Sequence, residues 1–125
     1  MTDDQTRLKL SRDPTSAGYA RQRVRAFCAD LPPDLQAVAQ LLVSELVTNA
    51  LQHGEGAIGM EMSVDPKSLR IEVSDDSPHP PRVANPSPDW TGGRGLLLVE
   101  RLASAWGIIP HPGDGKAVWF TLPRA

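Results

Sequence analysis

One helical stretch of this chain carries polar residues where a buried face should show only carbon. Between Asp34 and His53, Leu35, Leu42, Leu46 and Ala50 share one inward face when wound at about 100° per residue. Glu45, Asn49 and His53, four residues apart, fall along the edge of that face and within it, whereas Ser44, Thr48 and Gln52 take the outer side. A carboxylate, a carboxamide and an imidazole are therefore aimed at least partly inward on the C-terminal half of one helix. Burying an ionised carboxylate alone is too costly, so these groups line a wet pocket or pair with something.

Two further features could complete such a pocket. Asp75 shares parity with Leu69, Ile71 and Val73, so it extends the buried side of a strand by one step and can accept a hydrogen bond from a ligand. Asp75-Asp76-Ser77-Pro78 is also strong turn chemistry, and the sequence weights pocket and turn equally. Gly92-Gly93-Arg94-Gly95 stands ahead of a third apolar helix. Glycines admit close backbone approach, a helix N-terminus favours anions, and Arg94 would add a fork of donors, so phosphate is the natural occupant. The plainer alternative is a hinge closing a long loop.

Other chemistries fail on spacing. Gly93-Arg94-Gly95-Leu96-Leu97-Leu98 lacks the third glycine of a dinucleotide fingerprint, and Pro110 and Ala117 break the P-loop likeness of Gly115-Lys116. His53, His79, His111 and Cys28 do not fall at zinc-ligand spacings, and no G-x-S-x-G elbow occurs.

The elements that must position these residues follow from periodicity. An edge strand is expected over Arg7 to Leu10, behind a polar, disordered tail at residues 1–6. A helix is expected over about Ser16 to Asp30, capped by Thr15 or Ser16, with Tyr19, Val24, Phe27, Cys28 and Leu31 as its apolar stripe. Arg21, Arg23 and Arg25 fall on its solvated faces, and Cys28 is a small buried hydrophobe. Pro32 and Pro33 launch the second helix, from about Asp34 to His53, and Gly54 ends it. Alternation over Ile58 to Val64 and Leu69 to Ser74, joined by Pro66-Lys67-Ser68, predicts an antiparallel hairpin. Periodicity then vanishes from Asp76 to Gly93, where five of the twelve prolines gather. The third helix, starting after Gly93 to Gly95, is expected to turn Leu97, Leu98 and Leu102 inward. Strands near Trp106 to Ile109 and Ala117 to Leu122 close the chain around a turn with Pro112, Gly113 and Gly115. This order predicts an α+β two-layer sandwich, helices on one face of a mixed, mostly antiparallel sheet.

Composition narrows the rest. The 125 residues suit one domain, 40% hydrophobic and 22% charged. A net charge of −2 argues against a general nucleic-acid binder. No apolar run exceeds four residues, no signal segment opens the chain, and the single cysteine allows no internal disulfide, which fits a cytoplasmic protein with no membrane attachment.

Ser44-Glu45-Leu46-Val47-Thr48-Asn49-Ala50-Leu51-Gln52-His53-Gly54 closely resembles the Asn-containing helix motif of the GHKL superfamily, the histidine kinase-like ATPases that include gyrase. Its wording is similar to that of the stand-alone anti-sigma-factor serine/threonine kinases of bacteria. Gly93 to Val99 resembles their glycine box, Val73-Ser74-Asp75 their adenine-recognition strand end, and Gly115 to Leu122 their closing strand, so the likeness runs from about Leu8 to Leu122. The resemblance implies the Bergerat-type fold over residues 7–125, with residues 76–93 as an ATP lid. It implies ATP and Mg²⁺, with Asn49 ligating the metal and Glu45 as general base. Asp75 would take the adenine amino group, and Gly93, Arg94, Gly95 and Leu96 the phosphates. His53 matches a helix-ending histidine and is read as structural. The chain departs from the family where D-x-G-x-G becomes Asp75-Asp76-Ser77-Pro78-His79, and where Lys116 and Ala117 replace a threonine near the aspartate.

The resemblance thus implies a kinase that phosphorylates a small anti-anti-sigma-type protein, binds a sigma factor or similar transcription regulator, makes no direct contact with nucleic acid and can homodimerise. A non-catalytic ATP-gated binding module is the alternative, favoured by the missing glycines, and a degenerate interaction domain the third reading.

Overall fold

The structure is a computed structural model that describes residues 4–77, 91–111 and 115–124. Its elements run β1 (Asp4–Leu10), α1 (Ser16–Phe27), α2 (Pro33–His53), β2 (Ile58–Val64), β3 (Ser68–Asp75), α3 (Thr91–Leu102), β4 (Ala105–His111) and β5 (Gly115–Pro123). The five strands form one sheet in the order β1-β2-β3-β5-β4, and all four pairings are antiparallel. The three helices pack together and cover one face, with α2 in the middle against α1, α3 and β3. The expected α+β two-layer sandwich forms, with a described sheet that is antiparallel throughout rather than mixed.

The alternation fixes which strand face is covered. Ile58, Met60 and Met62 of β2, Leu69, Ile71 and Val73 of β3, and Val118, Phe120 and Leu122 of β5 are buried in one core with Leu42, Val43, Leu46 and Val47 of α2. The outer face of β2 and β3 is polar, and on β5 Trp119 lies under the Arg70 guanidinium, 5.1 Å from its carbon to the ring centroid. Gly107 faces Trp119 across β4 and β5, and a Cβ there would sit 2.8 Å from the indole nitrogen.

Several elements differ from the sequence expectation. Residues 4–6, expected in a disordered tail, extend β1, because its backbone pairs with β2 from Asp4↔Val64 to Leu10↔Ile58. Helix α1 ends at Phe27, where the Cys28 N–H bonds Val24 O. Its buried ladder is Ser16, Ala20, Val24 and Cys28, an i+4 series that leaves Tyr19 exposed. Thr15 makes no side-chain cap, and the entry turn is held instead by the Asp13 carboxylate, which accepts the Thr15 N–H and hydroxyl. Those bonds hold the Asp13 carboxyl below its ordinary range. Cys28 is buried as expected, and burial pushes its thiol up to about 11.

Helix α3 starts at Thr91, earlier than its glycines suggest. Glycine costs about 1 kcal/mol per helical position, offset here by the anchoring of Leu96 and Val99, both fully buried. That phase leaves Leu97 and Leu98 half-buried and Leu102 exposed, so Leu102 is not the inward residue expected of it. Residues 78–90 of the lid expected over 76–93, the turn residues 112–114 and the side chains of Thr91 to Gly95 lie outside the described residues.

Candidate functional site

The C-terminal half of α2 meets the end of β3. Proline at the first positions and Asp34 in the first turn suit the start of α2, and Gly54 closes it with its N–H on Ala50 O at 3.0 Å. Asn49 is buried at 8% exposure, Glu45 is half-buried one turn earlier, and His53 is exposed in the last turn. The stripe predicted to carry chemistry therefore grades from inside to solvent, and His53 falls off it. The α2 terminus is also held from afar. Arg12 donates to Ala50 O at 2.6 Å, beside the Gly54 N–H, to Leu51 O at 3.1 Å, a carbonyl of the last turn, and to Gly56 O at 2.9 Å beyond the helix.

Asp75 is the last inward residue of β3, buried at 7%, as its parity requires. It rests directly on the α2 cap: a Cβ on Gly54 would lie 2.6 Å from the Asp75 carboxyl carbon. The turn forms as its residues suggest, with Asp75 Oδ1 accepting the Ser77 N–H at 2.7 Å. The neighbouring Asp76 carboxylate accepts the Ala57 N–H at 2.9 Å, beside Gly56 at φ +65°. Gly115, at φ +97°, lies against the Asp75 carbonyl, where a Cβ would come within 2.1 Å of the oxygen.

The residue that spacing did not assign is Lys116. It stands directly opposite Asp75 in the β3–β5 register, and its Nζ donates to both Asp75 oxygens at 2.9 Å. At 6% exposure it is as buried as its partner. Two advance signals pointed there: the resemblance set Lys116 and Ala117 where the family carries a threonine near the aspartate, and Lys116, Val118, Phe120 and Leu122 alternate on one face. A buried ammonium and carboxylate so placed satisfy one another in a desolvated setting, and each leaves hydrogen-bonding capacity over.

The remaining expected residues lie on α3. Gly93 lies in its first turn, where backbone N–H groups lack helical partners, whereas Gly95 falls beyond that turn, where a helical N–H bonds the carbonyl four residues back; Arg94 stands between them. The Leu96 side chain is fully buried in the core, so only its backbone could face a ligand. A separate hollow on the polar side of the sheet is lined by Arg7, Lys9, Gly59, Glu61 and Ser74, and shares none of the expected site residues.

Comparison with known proteins gives one consistent match. The family model described as a histidine kinase-like ATPase domain matches residues 10–122. The chain is 31% identical to blue-light-activated histidine kinase 2 of Erythrobacter litoralis over 85% of its length, which is 33% of that protein. It is 30% identical to an anti-sigma F factor of Clostridium acetobutylicum over 61% of its length and 57% of the relative. An anti-sigma F factor of Halalkalibacterium halodurans is 24% identical over 90% of the chain and 88% of the relative. The chain thus spans well under two thirds of the first two relatives and most of the third. In fold it resembles the crystal structure of the RsbU and RsbW domains of Rv1364c from Mycobacterium tuberculosis, with a TM-score of 0.74 at 20% identity over 95% of this chain and 32% of that one. With the matched model covering nearly the whole of its length, the chain belongs to the histidine kinase-like ATPase domain family.

Proposed function

We propose that the chain is a Mg·ATP-dependent serine/threonine protein kinase of the anti-sigma type. It phosphorylates a small anti-anti-sigma-type protein and binds a sigma factor or similar transcription regulator in alternation. The observation that carries this reading is the buried Asn49 carboxamide one turn from half-buried Glu45, on the helix whose capping glycine rests on Asp75. The similarity to two anti-sigma F factors supports the regulatory class.

The donor set suits Mg²⁺ carried by a nucleotide. Among the described residues no three His, Cys, Asp or Glu side chains cluster to hold a metal. Asn49 would contribute one hard oxygen and phosphate oxygens the others, the usual manner of holding this ion. Bound there, the cation would neutralise phosphate charge. Gly93, Arg94, Gly95 and the backbone of Leu96 would hold the phosphates, and Asp75 Oδ2 the base. A seryl or threonyl oxygen would then form its bond to the γ-phosphorus as the bond to the β,γ-bridging oxygen breaks. The hydroxyl proton would pass to Glu45 and ADP would leave.

A second reading, an ATP-gated binding module without transfer, is favoured by Lys116 on the Asp75 carboxylate and by the absence of glycine from Asp75-Asp76-Ser77-Pro78-His79. Radiolabel transfer from [γ-³²P]ATP to a serine-bearing anti-anti-sigma protein separates the two. Kinase activity predicts transfer by the wild type and its abolition in Glu45→Ala with nucleotide binding retained. Tight binding without transfer by the wild type selects the module, and undiminished transfer by Glu45→Ala rejects Glu45 as the base.

A further inference from the structure

We infer that Lys116 turns the base-recognition end of the site from a pure acceptor into a donor–acceptor pair, so that 6-oxopurine nucleotides are taken alongside adenine nucleotides. This rests on the proposed reading that Asp75 receives the nucleobase.

A lone carboxylate selects adenine by what it repels. It accepts a hydrogen bond from an exocyclic amino group, but it faces the carbonyl oxygen of guanine or hypoxanthine with like charge. Here the carboxylate is not alone. Lys116 Nζ uses two of its three hydrogens on Asp75 Oδ1 and Oδ2, both at 2.9 Å, and among the described residues the third has no hydrogen-bond partner. Asp75 Oδ1 takes the Ser77 N–H as well, at 2.7 Å, whereas Oδ2 takes only Lys116 and keeps a lone pair. One N–H donor and one acceptor position therefore remain, on atoms 2.9 Å apart.

Both purine edges offer the complementary couple, in opposite order. Adenine presents a donor at its 6-amino group and an acceptor at N1; hypoxanthine presents an acceptor at O6 and a donor at N1. A site holding only the carboxylate takes the adenine amino group, but it takes the hypoxanthine N1–H only with O6 left without a donor. A site holding ammonium and carboxylate satisfies either. Lys116 and Asp75 are only 6% and 7% exposed, so an unmatched group there finds little water to replace its partner.

The test is calorimetric titration of the wild type and Lys116→Met with Mg·ATP and Mg·ITP, which differ only at the 6-position and N1. The wild type should bind the two within tenfold of one another. In Lys116→Met the ratio of the ITP to the ATP dissociation constant should rise at least tenfold. A wild-type preference for ATP above tenfold overturns the proposal, as does a ratio that moves less than tenfold in the variant. The wild-type ratio needs no variant, so the proposal remains falsifiable if Lys116→Met does not fold. Binding of both nucleotides with strong adenine preference removes only the role of Lys116, whereas binding of neither removes the nucleotide-site reading with it.

Discussion

β3 carries two ion pairs of similar length on its two faces, and they mean different things. On the outer face Arg70 meets Glu72 at 3.0 Å, with side chains 35% and 20% exposed, and its guanidinium lies over Trp119. On the inner face Lys116 meets Asp75 at 2.9 Å, with side chains 7% and 6% exposed. The outer pair keeps much of its hydration, so its charges are screened and its contribution is small. The inner pair has given up its water, and its mutual attraction must offset that loss. Apolar residues would fill the inner position at least as stably, so stability alone does not explain a charged pair there. The ligand-reading role proposed above would.

The comparison can be broken first at its inner member. Lys116→Met strands a buried carboxylate, and urea denaturation should show a loss of about 3–5 kcal/mol. Adding Asp75→Leu should recover most of it; a single variant as stable as wild type would mean the pair is hydrated in solution. At the outer member, Glu72→Gln should cost under about 1 kcal/mol, and less still in high salt. The smallest effect belongs to the β2–β3 turn, where Asp65 accepts the Lys67 and Ser68 N–H groups at 2.7 and 2.8 Å. Those backbone bonds, Lys67 first, hold the Asp65 carboxyl below its ordinary value. A depressed carboxylate stabilises the fold above the unfolded pKa, near 3.9, and that contribution fades as pH falls through the lower folded value. Asp65→Asn should therefore flatten the acid limb of stability against pH slightly and leave neutral pH almost unchanged.

Much of the site was legible because it lies on regular elements. A 3.6-residue period put Glu45, Asn49 and His53 along and within the inward face, which holds for buried Asn49 and half-buried Glu45 but not for exposed His53, and a period of two carried Asp75 to the buried side of β3. Partners distant in sequence were not legible from periodicity. Lys116 reaches Asp75 across 41 residues, and only the β3–β5 register sets them opposite. Arg12 caps α2 across 38 residues, with no periodic signal to reveal it. Short helices misled for another reason. Tyr19 and Leu102 are apolar, but α1 and α3 each bury a narrow stripe, and the phase that seats Ala20 and Val24, or Leu96 and Val99, turns them to solvent.

The central claim is that α2 and the end of β3 form a nucleotide site, and thermal melting with Mg·ATP tests it most directly. Ligand at 100 times its dissociation constant stabilises by about 2.7 kcal/mol, on the order of 10 °C for a domain of this size. The account predicts such a rise for the wild type and its loss in Asn49→Ala, each measured against its own ligand-free melt. A wild-type melting temperature that Mg·ATP leaves unmoved, or an Asn49→Ala shift equal to that of the wild type, would contradict it.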